Sequence, residues 1–371
     1  MRRRHLAAIL RWLISILALL LAATGVSALT FTRLEHFTGW GWTVVPVVLA
    51  AGFIPATLLS RRVHTRLLAA FNVLSGISVG FLSFFVFAAI ACWIVVGAAR
   101  LSGHAVDGRY VASGIYGTAA LVGLFALVEA YLLRVTRVTV PLENLPLFWR
   151  GRTIALATDI HLGNFRGTGF SRRVVSRLMA LKPECVLIGG DMFDGSVIDL
   201  EKSVAPWASL SAPSGVYFVG GNHDDYGGLE AILGALRGAG MRVLGNEKVD
   251  VHGLQLVGVH DGEILEPELY RSILERVHLD PGSASILLAH RPSNLSVPEA
   301  AGISLQLSGH THQGQFWPWT IFARRVHGKF TYGLNRLGRM LVYTSSGAGT
   351  WGPPFRLGTR SEVVLIRLEA A

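Results

Sequence analysis

Residues 153–161 read Thr-Ile-Ala-Leu-Ala-Thr-Asp-Ile-His, residues 185–194 read Cys-Val-Leu-Ile-Gly-Gly-Asp-Met-Phe-Asp, and residues 216–224 read Val-Tyr-Phe-Val-Gly-Gly-Asn-His-Asp. Each begins as a short apolar run and ends in polar residues, the pattern of a buried strand that empties into a loop. Helical periodicity at 171–181 lies between the first two stretches, and at 229–238 after the third. The polar ends recur at steps of 32 residues (Asp159 to Asp191) and 31 residues (Asp191 to Asn222), close to the roughly 30 residues of a βαβ unit. Parallel strands are therefore expected at 153–158, 185–188 and 216–219, with their polar ends on one sheet edge, where open α/β folds place their sites. Further strands are expected at 254–259, 285–289, 304–307, 340–343 and 363–366, so that 151–371 reads as one α/β domain.

The polar ends carry a chemistry. Asp159 and His161 are two apart, so in extended chain both side chains point the same way, as do His310 and His312 in Gly-His-Thr-His. With Asp191, Asn222 and His290 they make seven oxygen and nitrogen donors without a thiolate, a set that suits borderline divalent metals. Seven donors exceed what one ion can use while also holding water. They fit two ions that share a carboxylate, the clamp used for in-line displacement at phosphorus. Singly, each piece is weak, because a lone histidine after a strand is more often a core residue. The order of the pieces, each at an expected strand end, carries the reading; five of the 13 histidines fall in them.

The series Asp-x-His, Gly-Asp-x-x-Asp, Gly-Asn-His-Asp, a later His and Gly-His-x-His resembles the calcineurin-like metallophosphoesterases. The tail from Tyr343 to Arg356 (Tyr-Thr-Ser-Ser-Gly-Ala-Gly-Thr-Trp-Gly-Pro-Pro-Phe-Arg) looks like the membrane-associated bacterial branch of that superfamily. The resemblance covers about 150–370 and implies a four-layer αββα sandwich with two divalent ions, Mn, Fe, Zn or Mg. By matching motif, it implies that Asp159, His161, Asp191 and His312 bind one ion, and that Asp191, Asn222, His290 and His310 bind the other, with Asp191 bridging. His223 would face the substrate phosphate as proton or hydrogen-bond donor, with Asp224 or Asp194 orienting it or a ligand; His223 and Asp224 are the catalytic pair expected. The implied reaction is hydrolysis of a phosphate ester or diphosphate by metal-activated hydroxide. Two departures stand out: Gln313 where many relatives have Gly, and Thr-Arg-Ser-Glu at 359–362 where the branch often has Pro before Glu.

The first 150 residues are a different material. They hold 13 Lys and Arg against 4 Asp and Glu, so +9 of the +10 net charge is theirs, while the remainder is near neutral. Charged residues make up only 16% of the chain and mean hydropathy is +0.45, against a usual charged share of about 25%. That excludes a disordered or nucleic-acid-tail protein. A spanning helix needs about 20 apolar residues, and runs of that kind fall near 12–31, 42–60, 76–98 and 111–133, an all-α membrane region of about four helices within 1–134. The uncharged 67–99 stretch is too short for two spans and a turn, and reads as one long span. A Pro-punctuated linker is expected at 135–150.

Arg2, Arg3, Arg4, Arg11, Arg61, Arg62, Arg66, Arg134 and Arg137 fall on one side of four such spans, against Arg33, Arg100 and Arg109 on the other. The excess places the N-terminus and the α/β domain on the cytoplasmic face of a bacterial plasma membrane. Residues 2–28 also have the form of a signal peptide. Glu129 is the one acid in an expected span; near its inner end, it reads as interfacial rather than as part of a transport path. Cys92 and Cys185 cannot staple a disulfide scaffold.

Residues 315–325 (Gln-Phe-Trp-Pro-Trp-Thr-Ile-Phe-Ala-Arg-Arg) have the composition of an interfacial segment, or equally of an aromatic strand or loop packed inside the domain. In the first case the substrate is lipid-linked and membrane lipids are partners. The branch includes enzymes that cleave the diphosphate of UDP-2,3-diacylglucosamine in lipid A synthesis, which makes such a lipid one expected substrate. Neither nucleic acid nor a protein partner is expected. The alternative function is a transporter or sensor bundle with a regulatory phosphoesterase-like domain.

Overall fold

The computed structural model describes residues 2–35, 41–196, 199–226 and 228–371. Met1 and the 36–40 stretch between the first two expected spans lie outside these. The chain divides into two compact units, 1–128 with 352–355, and 129–351 with 356–371.

The first unit contains helices α1 (Arg2–Glu35), α2 (Gly41–Ser60), α3 (Arg66–Leu101) and α4 (Gly108–Glu129). Pro46 and Pro55 sit inside α2, which an apolar helix tolerates when neighbouring groups take up the freed carbonyls. The uncharged 67–99 stretch lies within a single helix, α3, of 36 residues. At about 1.5 Å per residue it exceeds the roughly 30 Å of a bilayer core. Among the described residues α3 and α4 are long and apolar enough to cross a membrane, whereas the apolar stretches Ala18–Leu34 and Val44–Ser60 in α1 and α2 are shorter. Two of the four expected spans therefore meet that standard. Small residues let the helices approach: Ala88, Ala89, Cys92 and Ala112 are buried together. Trp93 Nε1 donates to Thr30 Oγ1 and Asn72 Nδ2 to Thr57 Oγ1, both at 2.9 Å. Large apolar side chains such as Leu29, Ile94 and Leu121 face outward.

The second unit contains strands β1 (Arg134–Leu142), β2 (Thr153–Ala157), β3 (Cys185–Ile188), β4 (Val216–Phe218), β5 (Arg242–Val243), β6 (Glu247–Val251), β7 (Leu254–Val259), β8 (Ser285–Ala289), β9 (Leu305–Ser308), β10 (Gly333–Leu337), β11 (Met340–Thr344) and β12 (Glu362–Ala370). Its helices are α5 (Thr168–Ala180), α6 (Leu200–Val204), α7 (Asn222–Tyr226), α8 (Leu229–Gly238), α9 (Asp261–Ile264), α10 (Pro267–Arg276), α11 (Ser296–Ala300) and α12 (Trp319–His327). They build two six-stranded mixed sheets, ordered β1-β12-β2-β3-β4-β5 and β10-β11-β9-β8-β7-β6. Strands β2 to β5 run parallel, and so do β7, β8, β9 and β11.

Period-2 alternation of buried residues sorts the side chains into three cores. Ala155, Val186 and Phe218 pack against Val174 and Leu178 of α5 and Ile232 and Leu236 of α8. Ile154, Leu156 and Leu187 point the other way, into a core shared with Leu256, Ile286, Leu288 and Leu307 of the second sheet. Val257, Leu287 and Ala289 meet Tyr270, Ile273 and Leu274 of α10. The layers therefore run helix, sheet, sheet, helix, and each central strand is buried on both faces, which is why it reads as an unbroken apolar run.

The expected linker is corrected in part. Residues 134–142 form β1, paired parallel to β12 along its length. Val-Thr-Arg-Val-Thr-Val is a β-branched alternation. Pro141 is compatible with it because β1 is an edge strand, where a missing N–H costs no ladder bond. Glu129 is paired: Arg134 Nη2 donates to both its carboxylate oxygens, at 2.6 and 2.8 Å.

Candidate metal centre

The expected site residues lie at the carboxyl ends of five strands. Asp159 and His161 follow β2, Asp191 follows β3, Asn222 opens α7 after β4, His290 follows β8, and His310 and His312 follow β9. Two groups have ligand atoms close enough to hold an ion, Asp159 with His161 and His312, and Asp191 with His290 and His310; a third joins His161, Asp191 and His223. Asp191 Oδ2 stands 3.2 Å from His290 Nε2 and 3.7 Å from His161 Nε2, between the first two groups.

The convergence has a different origin from the one expected. Asp159, His161, Asp191, His310 and His312 are not extended; their φ values are 52°, 52°, 52°, 67° and 47°. Five non-glycine residues in the left-handed region, each at about 1–2 kcal/mol, mark a backbone held by its surroundings. Asp159 N donates to Gly190 O at 2.9 Å and Ile160 N to Asp191 O at 2.8 Å, so the first two loops hold each other. His310 N donates to both oxygens of Asp159. The motif glycines leave room for this crossing. A Cβ on Gly309 would come within 2.1 Å of Asp159 Oδ2, and one on Gly221 within 2.3 Å of Asp191 Oδ1.

The residues present fit divalent ions. His161 and His312 aim Nε2 at Nε2 across 3.0 Å in a buried site, and Asn222 Oδ1 is a buried acceptor without a hydrogen-bond partner among the described residues. Burial pushes the imidazoles of His161, His310 and His312 well below their ordinary range, so each presents a neutral ring. Against the cost of burial, His290 and His161 hold the Asp191 carboxyl well below its usual value. Burial also opposes a charged His290, yet Asp191 and Asp159 raise it to about 10. The pocket therefore draws positive charge to Nε2, since Nδ1 donates to Gly189 O at 2.9 Å.

His223 N donates to Asp191 Oδ1 at 2.8 Å, and its ring Nδ1 lies 3.2 Å from the carbonyl oxygen of Asp194, which can only accept. Asp194 thus orients His223 through its backbone, and Nε2 is left for another partner. Asp224 is fully buried; it accepts from Phe193 N and Gly221 N and ties two site loops together. Burial and the Asp191 charge raise its carboxyl to about 7.

Arg356, unnoticed as a functional residue in the sequence, is wholly buried. Its guanidinium donates to the carbonyls of His312, Ser346 and Gly349 at 2.9, 2.6 and 2.7 Å, fixing the last ligand loop against the Gly-rich tail. Gln313 takes φ 55°, ψ 23°, a conformation that Gly would adopt without strain. The 315–325 segment is neither strand nor packed loop over most of its length: Trp319–His327 form α12, in which no residue is buried. Its rear end returns to the site, where His327 lies 6.3 Å from His310, ring to ring.

A family model described as calcineurin-like phosphoesterase matches residues 152–314. The chain is 35% identical over 222 residues to an uncharacterized metallophosphoesterase of Helicobacter pylori strain J99, a match covering 58% of this chain and 59% of the relative. It is 33% identical over 256 residues to a transmembrane protein with metallophosphoesterase domain from Danio rerio, covering 64% and 58%. With an uncharacterized metallophosphoesterase of Aquifex aeolicus it shares 34% identity over 261 residues, 68% of this chain and 97% of the relative. The chain thus spans about three fifths of the Helicobacter and Danio relatives and almost the whole of the Aquifex one.

Proposed function

The chain belongs to the calcineurin-like metallophosphoesterases, and from that premise we propose that it is a membrane-anchored hydrolase of a phosphate ester or diphosphate bond in a lipid-linked substrate. The observation that carries the reaction class is the pair of ligand groups, Asp159 with His161 and His312, and Asp191 with His290 and His310, joined through Asp191 and accompanied by Asn222. Two divalent ions held there would neutralise the phosphate oxygens and supply water of lowered pKa.

The protein's own residues do the rest. His161, His310 and His312 stay neutral and Asp191 stays ionised, so among the histidine ligands only His290, raised to about 10, must release a proton when an ion binds. His223, held through Nδ1 by Asp194 O, presents Nε2 to the phosphate and delivers a proton to the leaving oxygen. Asp224 and Arg356 are positioning residues: one keeps the β3 and β4 loops in register, the other holds the carbonyl side of His312.

Four spans near 12–31, 42–60, 76–98 and 111–133 would form the anchor, with the hydrolase on the cytoplasmic face by the Arg excess. Support comes from the outward-facing apolar side chains of the helices and from the resemblance to transmembrane relatives. The lipid link is supported by α12, which exposes Trp319, Phe322 and Val326 on one face beside Arg325. The transporter alternative loses its one intramembrane acid, since Glu129 is bound to Arg134.

Full-length protein in detergent should hydrolyse bis-p-nitrophenyl phosphate with Mn²⁺ and stop with EDTA; metal-independent turnover, or none with any divalent ion, overturns the reaction class. Changing Trp317 and Trp319 to Ser should lower activity on a micellar phosphoester at least fivefold and spare the soluble diester. Equal losses on both remove the lipid link.

A further inference from the structure

Two aromatic side chains flank His223 without serving the core. The Tyr226 ring centroid lies 5.4 Å from that of His223 and the Trp351 centroid 6.2 Å, each roughly edge-on. Both keep about half of their surface open, 49% for Tyr226 and 51% for Trp351. Two half-open aromatic faces on either side of the histidine expected to meet the phosphate offer a planar group room to stack.

Each ring is fixed at its base. The buried side chain of Gln315 grips the Trp351 backbone at both ends: Nε2 donates to Trp351 O at 3.1 Å and Oε1 accepts from Trp351 N at 2.8 Å. Tyr226 rests on Gly195, φ 83°, where any Cβ would stand 2.9 Å from the Tyr226 Cβ. Gly195 follows Asp194, whose carbonyl orients His223, so the loop that sets the His223 ring also seats Tyr226. A held backbone lowers the ordering that a stacked ligand would have to impose.

We propose that Tyr226 and Trp351 form a stacking subsite for a planar ring, a nucleobase or aryl group, carried on the ester oxygen that His223 serves. The inference rests on the phosphoesterase reading of the site and names one side of its substrate. With the lipid link it describes a phosphoester whose one substituent is a ring.

Equilibrium binding to the full-length protein in detergent, with a divalent ion such as Ca²⁺ checked to release no phosphate from the ligands during the measurement, separates the contributions. The ligands are UMP against ribose 5-phosphate, which differ by the base, and phenyl phosphate against methyl phosphate, which differ by an aryl ring. Stacking on one or two aromatic side chains predicts that the ringed member of at least one pair binds about tenfold more tightly. In Trp351→Ala and Tyr226→Ala that preference should fall towards unity while ribose 5-phosphate and methyl phosphate bind as before, and Trp351→Phe should restore most of it. A preference for UMP alone identifies a nucleobase, for phenyl phosphate alone a smaller aryl group. Equal affinity within both pairs in the unaltered protein, or a preference that survives both alanine variants, overturns the subsite. Failure of the hydrolase reading is seen separately, as absent turnover of bis-p-nitrophenyl phosphate, because the binding ratios need no turnover.

Discussion

The helical unit and the sheet unit place polarity in opposite positions. Among the helices, Leu29, Ile94 and Leu121 face outward at 62%, 65% and 68% exposure, while Ala88, Ala89, Cys92 and Thr30 are inside. In the sheet unit the centre holds charge: Asp159, Asp191, Asp224, His290 and Arg356 are all nearly or wholly buried. One unit buries small and mildly polar groups against each other, which costs nothing extra where the surroundings are hydrocarbon. The other buries ionisable groups, which is expensive unless they are paired or serve a ligand. Polarity in the two units is thus inverted: small and mildly polar groups lie inside the first, and ionisable groups gather at the candidate site of the second.

The strongest test removes the shared carboxylate. Asp191→Ala should lose bound metal, measured by elemental analysis, and lower hydrolysis by at least 10³-fold, about 4 kcal/mol of barrier. Next, His223→Ala should keep its metal and lose about 10²–10⁴-fold in rate, the usual range for a general acid. Equal metal loss in the two variants would break the division of roles between ligand and proton donor.

The third test addresses the helices. In water, replacing an exposed leucine by a charge changes stability by less than about 0.5 kcal/mol. In a bilayer Leu121→Arg should cost about 3 kcal/mol, read as loss of protein from the carbonate-washed membrane fraction. Unchanged membrane retention would sink the lipid-facing reading of α4. The smallest effect belongs to a ligand loop. Gln313→Gly removes a left-handed strain of about 1–2 kcal/mol but adds chain entropy, so a net gain of about 0.5–1 kcal/mol is expected. That corresponds to a rise of about 1–4 °C in the melting temperature of the sheet unit.

What could be read from residues alone follows the same contrast. Strands β3, β7 and β8 were legible to the residue because burial on both faces demands a largely apolar run, which Gln255 in β7 and Ser285 in β8 barely dilute. Strand β1 was not, since Pro141 looks like a boundary until the strand is known to lie at an edge. Helix α12 was obscured because its aromatic composition fits a strand or loop as well, although Trp319, Phe322 and Val326 stand at helical spacing. The residues that meet at the candidate site were legible by type and position, but their left-handed backbone was not, because Asp and His carry only a weak φ preference. Arg356 was silent for another reason. Its partners are carbonyl oxygens, which every sequence supplies.

Strand β12 lies between β1 and β2 in the first sheet. During synthesis the helices, β1 and β2 leave the ribosome first, and the strand that must fill the gap between the two emerges after every other strand of the fold. The sheet edges on both sides of that gap stay unpaired for the whole translation of the hydrolase unit, a period when open edges invite wrong partners. Closure is therefore a late, long-range event. The loops that follow β2, Asp159 and His161 among them, gain the neighbour strand on that side only when 362–370 have been made.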